Sequence, residues 1–102
     1  MKVRFEEQAV AQIRAAHAWW QANRLAAPTL FAHEIAVVVT RLRADEIAGT
    51  LYASRSVPGV RRVLCPRTRY HVYYIIDDEF DAVVVVAVWG GMRGRGPSLE
   101  RT

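Results

Sequence analysis

The residues able to do chemistry in this 102-residue chain are few, and most of them are arginines. Thirteen of the fourteen basic residues are arginine, and Lys2 is the single lysine. A guanidinium stays protonated at any physiological pH. Arg61, Arg62, Arg93 and Arg95 can therefore stabilise negative charge, or grip a carboxylate or phosphate through paired hydrogen bonds, but none can act as a general base. Arg93 and Arg95 stand among Gly90, Gly91, Gly94 and Gly96 in "VVVVAVWGGMRGRGP" (83–97), where the backbone is free to turn and cations can be presented to an anion. High genomic GC content also favours arginine codons, so position has to separate a functional cation from a compositional one. The titratable candidate in the strand-like part of the chain is His71. Period-two alternation in "RYHVYYIID" (69–77) puts it on one face with Tyr73 and Ile75, opposite Tyr70, Val72 and Tyr74. It is either a proton-transfer group or a packed, hydrogen-bonded strand residue. Cys65 is the only cysteine. It permits no internal disulfide and no zinc site of the usual kind, and reads as a small buried apolar residue. No cofactor is expected.

The elements that must position these groups follow from apolar spacing. The seven residues from Val83 to Trp89 are all apolar, too costly to leave in water, and read as a core strand that delivers Trp89 to its end. "VRRVLC" (60–65), "RYHVYYIID" (69–77) and "DAVVVVAVW" (81–89) are rich in β-branched and aromatic residues and are joined by hairpin-sized connections, predicting an antiparallel meander. Within the first of these, Arg61 and Arg62 point to opposite faces. Arg61 makes either an ion pair with Asp77 or Glu79 or a contact to a target. Upstream, Val3 and Phe5 alternate with Lys2 and Arg4 as in a short strand. Ala9, Ile13, Ala16 and Trp20 then recur at helical spacing up to Asn23, and Phe31, Ile35, Val38 and Leu42 form a second helical stripe running from Pro28 to about Ile47. Residues 49–59 show no period and read as a connecting loop ending in the turn pair Pro58-Gly59. The expected order is β-α-α-β-β-β. This is an α+β domain occupying residues 1–102, with an antiparallel sheet and a helical hairpin packed on one face. Trp19 and Trp20 are adjacent on a helix, so one is expected in the core and the other on the surface.

Composition sets outer limits. Apolar residues make up 52% and charged residues 24%, the profile of a globular domain with one core. The start, "MKVRFEEQAV", lacks the apolar stretch of a secretory signal, and no apolar run approaches the roughly 20 residues that span a bilayer, so a cytoplasmic location is expected. The net charge of +4 points to acidic or phosphate-bearing partners.

Over nearly its full length the chain resembles the RelE/ParE superfamily of toxins from bacterial type II toxin-antitoxin systems. The resemblance is carried by the N-terminal strand leading into a helical hairpin, a helix ending shortly before Gly49, "VPGVRRVL", "RYHVYYIIDDE" and the closing "VVVVAVWGGMRGRGP". It implies one of two activities, because RelE-like members cut messenger RNA on the ribosome whereas ParE-like members poison DNA gyrase. Cutting RNA needs a group to activate the 2′-hydroxyl, another to protonate the leaving oxygen, and cations for the charged transition state. RelE-like members often place a tyrosine or histidine after the last strand, and here residues 90–102 contain neither. The resemblance therefore implies a ParE-like gyrase inhibitor neutralised by an acidic antitoxin that carries its own DNA-binding domain. Arg61, Trp89, Arg93 and Arg95 are the expected target-binding residues, and Trp19, Trp20, Phe31 and Ile35 the expected antitoxin-binding ones. The alternative is a ribosome-dependent mRNA endonuclease using His71, Tyr73 and Arg61. A third reading is a non-toxic member that only binds the antitoxin.

Overall fold

The computed structural model describes residues 1–91 and 95–99. Its elements are β1 (Lys2–Phe5), α1 (Glu7–Asn23), α2 (Leu30–Arg43), β2 (Thr50–Leu51), β3 (Arg61–Leu64), β4 (Tyr70–Asp77) and β5 (Ala82–Gly90). The strands form one five-stranded sheet in the order β1-β5-β4-β3-β2. From β3 to β5 the strands are the expected antiparallel meander, which β2 extends by one strand, while β1 returns to pair in parallel with β5 along the far edge. The helical hairpin covers one face. Among the described residues, no helix is long and apolar enough to cross a membrane.

The helix boundaries have local causes. At the end of α1, the Asn23 side chain donates to the Trp19 carbonyl at 2.9 Å and the Arg24 amide to that of Trp20 at 2.9 Å. The second helix was expected to reach about Ile47 but stops at Arg43. Asp45 adopts φ 57°, and the Glu46 and Asp45 amides turn back to the carbonyls of Arg41 and Leu42. This is a left-handed C-terminal cap built on aspartate instead of glycine, which hides it from a search for helix-stopping glycines. Residues 50–51, expected in a loop, form β2, because two residues are too short to show a period.

Apolar side chains form a layer on each face of the sheet. Against the helices lie Val72, Tyr74, Val83, Val85 and Val88 with Phe31, Ile35, Trp20 and Cys65. The other face carries Tyr73, Ile75, Val84, Val86 and Ala87, covered by Val57 and Val60 of the loop and by Leu99 of the tail. Cys65 is fully buried, and burial together with the Glu34 carboxylate pushes its thiol up to about 12, so it is an inert packing group.

Beyond Phe5, β1 no longer pairs with β5. Two glutamines one helical turn apart on α1 take over its hydrogen bonds. Gln12 Oε1 accepts from the Val88 amide at 2.7 Å, and Gln8 Nε2 donates to the Ser98 carbonyl at 2.8 Å and to that of Val86 at 3.4 Å. They satisfy backbone groups of an otherwise open edge and tie the tail to the helix.

Candidate functional site

The site lies on the helix-free face, at the end of the sheet where β5 delivers Trp89. Strand register sets two rows of side chains there. Leu64, His71 and Trp89 stand side by side across β3, β4 and β5, and Arg62, Tyr73 and Ala87 form the next row. Tyr52 follows β2, and Arg95 and Gly96 close the end. All of these except Leu64 and Ala87, together with Gly90 and Gly91, line a groove of about 220 Å³ in which no described residue is a carboxylate.

Arg62 is held over the groove. Its guanidinium sits 5.0 Å from the centre of the Tyr52 ring, and Nη1 donates to Tyr73 Oη at 3.5 Å. Tyr52 meets Tyr73 edge-on at 4.9 Å. Tyr73 is therefore sealed beneath the site, with 2% of its surface exposed, and supports the site without reaching into it. His71 lies 6.0 Å from the Tyr73 ring and is partly open. Burial, then the positive charges of Arg62 and Arg69, hold its imidazole below the ordinary value of 6.5, so it is neutral near pH 7.

The β3–β4 connection places the third cation. Arg69 has φ 65°, and its carbonyl accepts from the Gly91 amide at 2.6 Å. A side chain at Gly91 would put its Cβ 2.8 Å from that carbonyl and 3.2 Å from His71 Cε1, so only glycine lets β5 exit this close. Residues 95–99 are pinned in place. Trp89 Nε1 donates to the Arg95 carbonyl at 2.8 Å, and Leu99 is buried in the sheet. Arg95, expected to present its cation to an anion, stands exposed at the end of the groove with its backbone held by Trp89. Arg93 lies outside the described residues.

Arg61 is not part of this group. It points to the opposite face, where Nη1 donates to the Gly49 carbonyl at 2.8 Å. The expected ion pair to Asp77 or Glu79 does not form, because Asp77 pairs with Arg4 at 3.1 Å.

No family profile matches the chain, and no curated protein matches it by sequence. Solved structures do match. The isolated RelE toxin of E. coli is 21% identical, with 92% of this chain and 87% of that one superposing at a TM-score of 0.62. A chromosomal ParDE toxin-antitoxin system from P. aeruginosa is 20% identical over 88% of this chain and 95% of that one, with a TM-score of 0.65. An arginine-to-alanine double variant of the E. coli RelE toxin, in the free state, gives 20%, 91%, 85% and 0.61.

The chain has the RelE/ParE fold.

On this RelE/ParE fold the groove occupies the helix-free face, and the expected antitoxin residues lie on the helical side. Trp19 is exposed to 45%, stacks edge-on with Trp20 at 6.2 Å, and carries the Arg24 guanidinium 4.8 Å from its ring centre. It borders a cavity of about 640 Å³ whose wall is made by Ala11, Gln12, Ala15, Tyr70, Val88 and Trp89. Trp20, Phe31 and Ile35 are core residues and cannot form a surface. Phe31 is fully buried, edge-on to Tyr70 at 4.8 Å. Their stripe is the one that packs the helices onto the sheet, which a helical period cannot distinguish from a docking face. Two groove residues were outside the expected target-binding set: Arg62, noted only as a cation able to stabilise charge, and Tyr52. Hairpin register alone decides which of two adjacent arginines faces His71, and Tyr52 sits in a stretch without a period.

Proposed function

We propose that this chain is the toxin of a type II toxin-antitoxin pair, of the ParE-like kind, which inhibits DNA gyrase in the cytoplasm unless an acidic antitoxin holds it. The observation that carries this reading is the makeup of the groove. It gathers guanidiniums around one imidazole, His71, while the Tyr73 hydroxyl is sealed beneath and the Tyr52 ring is engaged under Arg62. RNA cleavage through the 2′-hydroxyl needs an acid as well as a base, and arginine can be neither at physiological pH. A surface of fixed guanidiniums suits gripping an anionic target better than turning over a substrate. The likeness in fold to RelE and to a ParDE system supports the toxin reading, and the net charge of +4 suits an acidic antitoxin segment. Such a segment would lie along α1, with an apolar side chain in the cavity beside Trp19.

A second reading is a ribosome-dependent mRNA endonuclease. It is favoured by the neutral His71 imidazole standing beside Arg62, a geometry suited to a base flanked by charge stabilisers. Purified protein added to gyrase separates the two. The ParE-like reading expects loss of supercoiling and accumulation of cleaved DNA, with intact messenger RNA in induced cells. Cuts in ribosome-bound messenger RNA that disappear in a folded His71→Gln variant, with gyrase unaffected, would replace it.

A further inference from the structure

We propose that the groove takes a phosphodiester of DNA, so that the toxin grips nucleic acid held by gyrase and does not act on the enzyme surface alone. This inference rests on the gyrase reading above and names what the groove would hold. Arg62 and Arg95 line the groove, the Arg69 charge reaches His71 from its rim, and no described lining residue is a carboxylate to oppose an anion. Arg62 is pre-oriented. One of its five donors is used on Tyr73 Oη and its plane is supported by Tyr52, leaving a fork of the kind that grips phosphate.

The walls suit a chain of phosphates better than a protein segment. Gly91 and Gly96 close the end of the groove with bare backbone packed against His71 and the Tyr52 hydroxyl, so no carboxylate-bearing side chain stands there. The volume of about 220 Å³ is below the roughly 300–1,000 Å³ of small-molecule pockets and admits one backbone linkage, with Tyr52 and Trp89 offering ring faces to neighbouring bases. An acidic peptide has less to hold here. The floor is β4, paired on both sides, and the end of β5, where Gln8 and Gln12 already hold the Val86 carbonyl and the Val88 amide, so an added strand would find few free backbone groups.

The test uses the purified full chain and fluorescence anisotropy with a labelled oligo-dT, the matching oligo-U, and an acidic peptide, over about 50 to 300 mM salt. Arg95→Ala is chosen because Arg95 is exposed and its fold contact is made by its carbonyl, which the variant keeps. Arg41→Ala on α2 is the control of equal charge. The expected result is oligo-dT binding whose log–log salt slope becomes shallower by about 0.7 in Arg95→Ala, one single-strand phosphate contact, and is unchanged in Arg41→Ala. Equal losses in the two variants would mean only diffuse attraction and would overturn the site. Tighter binding of oligo-U than oligo-dT, or binding of the peptide alone, would overturn the assignment to DNA. Gyrase inhibition without oligonucleotide binding would overturn this inference and leave the gyrase reading standing. Groove-dependent DNA binding with gyrase untouched would do the reverse.

Discussion

Glu34 sits inside the helical stripe of α2 yet is buried, and its carboxylate reaches across to the β3–β4 connection. Oε1 accepts from the Thr68 amide at 2.8 Å and Oε2 from the Arg67 amide at 3.1 Å. That connection sets the register that puts Arg62 against Tyr73 and Arg69 beside His71, so Glu34 links the core to the groove. In Glu34→Ala both amides lose a charged acceptor. The Arg67 amide can turn to water because Arg67 is exposed, but Thr68 is buried and its N–H would be stranded. Hydrogen bonds to charged groups contribute about 1.5–3 kcal/mol each and a stranded donor costs about 1–3, so the net loss should be about 2–4 kcal/mol. For a chain of this size that lowers the melting midpoint by roughly 10–20 °C. Glu34→Gln keeps one acceptor for Thr68 but sets an NH₂ donor against the Arg67 amide, and should lose about half as much. Thermal unfolding followed by circular dichroism measures both. If the two variants melt within about 0.5 kcal/mol of the parent, the turn holds itself and the capping argument is wrong.

Gln12→Leu, nearly equal in volume, removes the acceptor of the Val88 amide and should cost about 1–3 kcal/mol in a denaturant titration, whereas Gln12→Glu should retain most of the stability. Gly91→Ala forces a Cβ to 2.8 Å from the Arg69 carbonyl, and overpacking of this kind should cost about 1–3 kcal/mol and weaken target inhibition together with it. His71 is held below 6.5 in the fold, so the unfolded chain takes up that proton first. Its contribution to stability is complete above about pH 6.5 and is lost as the pH falls through the lowered value, and His71→Gln should flatten the melting profile below about pH 6.5. Trp19→Ala, at an exposed ring, should change thermal stability by less than about 1 kcal/mol while weakening antitoxin binding by 2 kcal/mol or more in calorimetry, by the usual behaviour of a tryptophan anchor.

The sequence carried the parts of the fold that depend on spacing. The all-apolar run ending at Trp89 is β5, the two helical stripes pack the hairpin onto the sheet, and Asn23 ends α1. The parts it hid depend on contacts between distant residues. Nothing local marks Gln8 and Gln12 as substitutes for a missing strand, or Glu34 as the cap of a turn 33 and 34 positions away. Among the candidate site residues, His71, Tyr73, Trp89 and Arg95 were legible and do converge. Arg61 was chosen where Arg62 was needed, since adjacent strand residues differ only in face.

The convergence itself turns on one irregularity. Strict alternation along β5 would put Trp89 on the same side as Val83 and Val85, beneath the helices. Between Tyr73 and Tyr74 the register slips, so that Tyr73 faces Ala87 while Tyr74 faces Val85, and Val86 is the extra residue. A bulge reverses the facing of everything beyond it. Val88 thereby takes the helix side, where Gln12 meets its amide, and Trp89 crosses to the open face beside His71. A strand of seven consecutive apolar residues tolerates this slip without exposing or burying a polar group, which is why no polarity pattern reveals it. The same uniformity lets the core be indifferent to the register while the groove is not. A sheet of plain alternating pattern would have fixed the register for folding alone, and would have left Trp89 buried and the arginines without an aromatic wall.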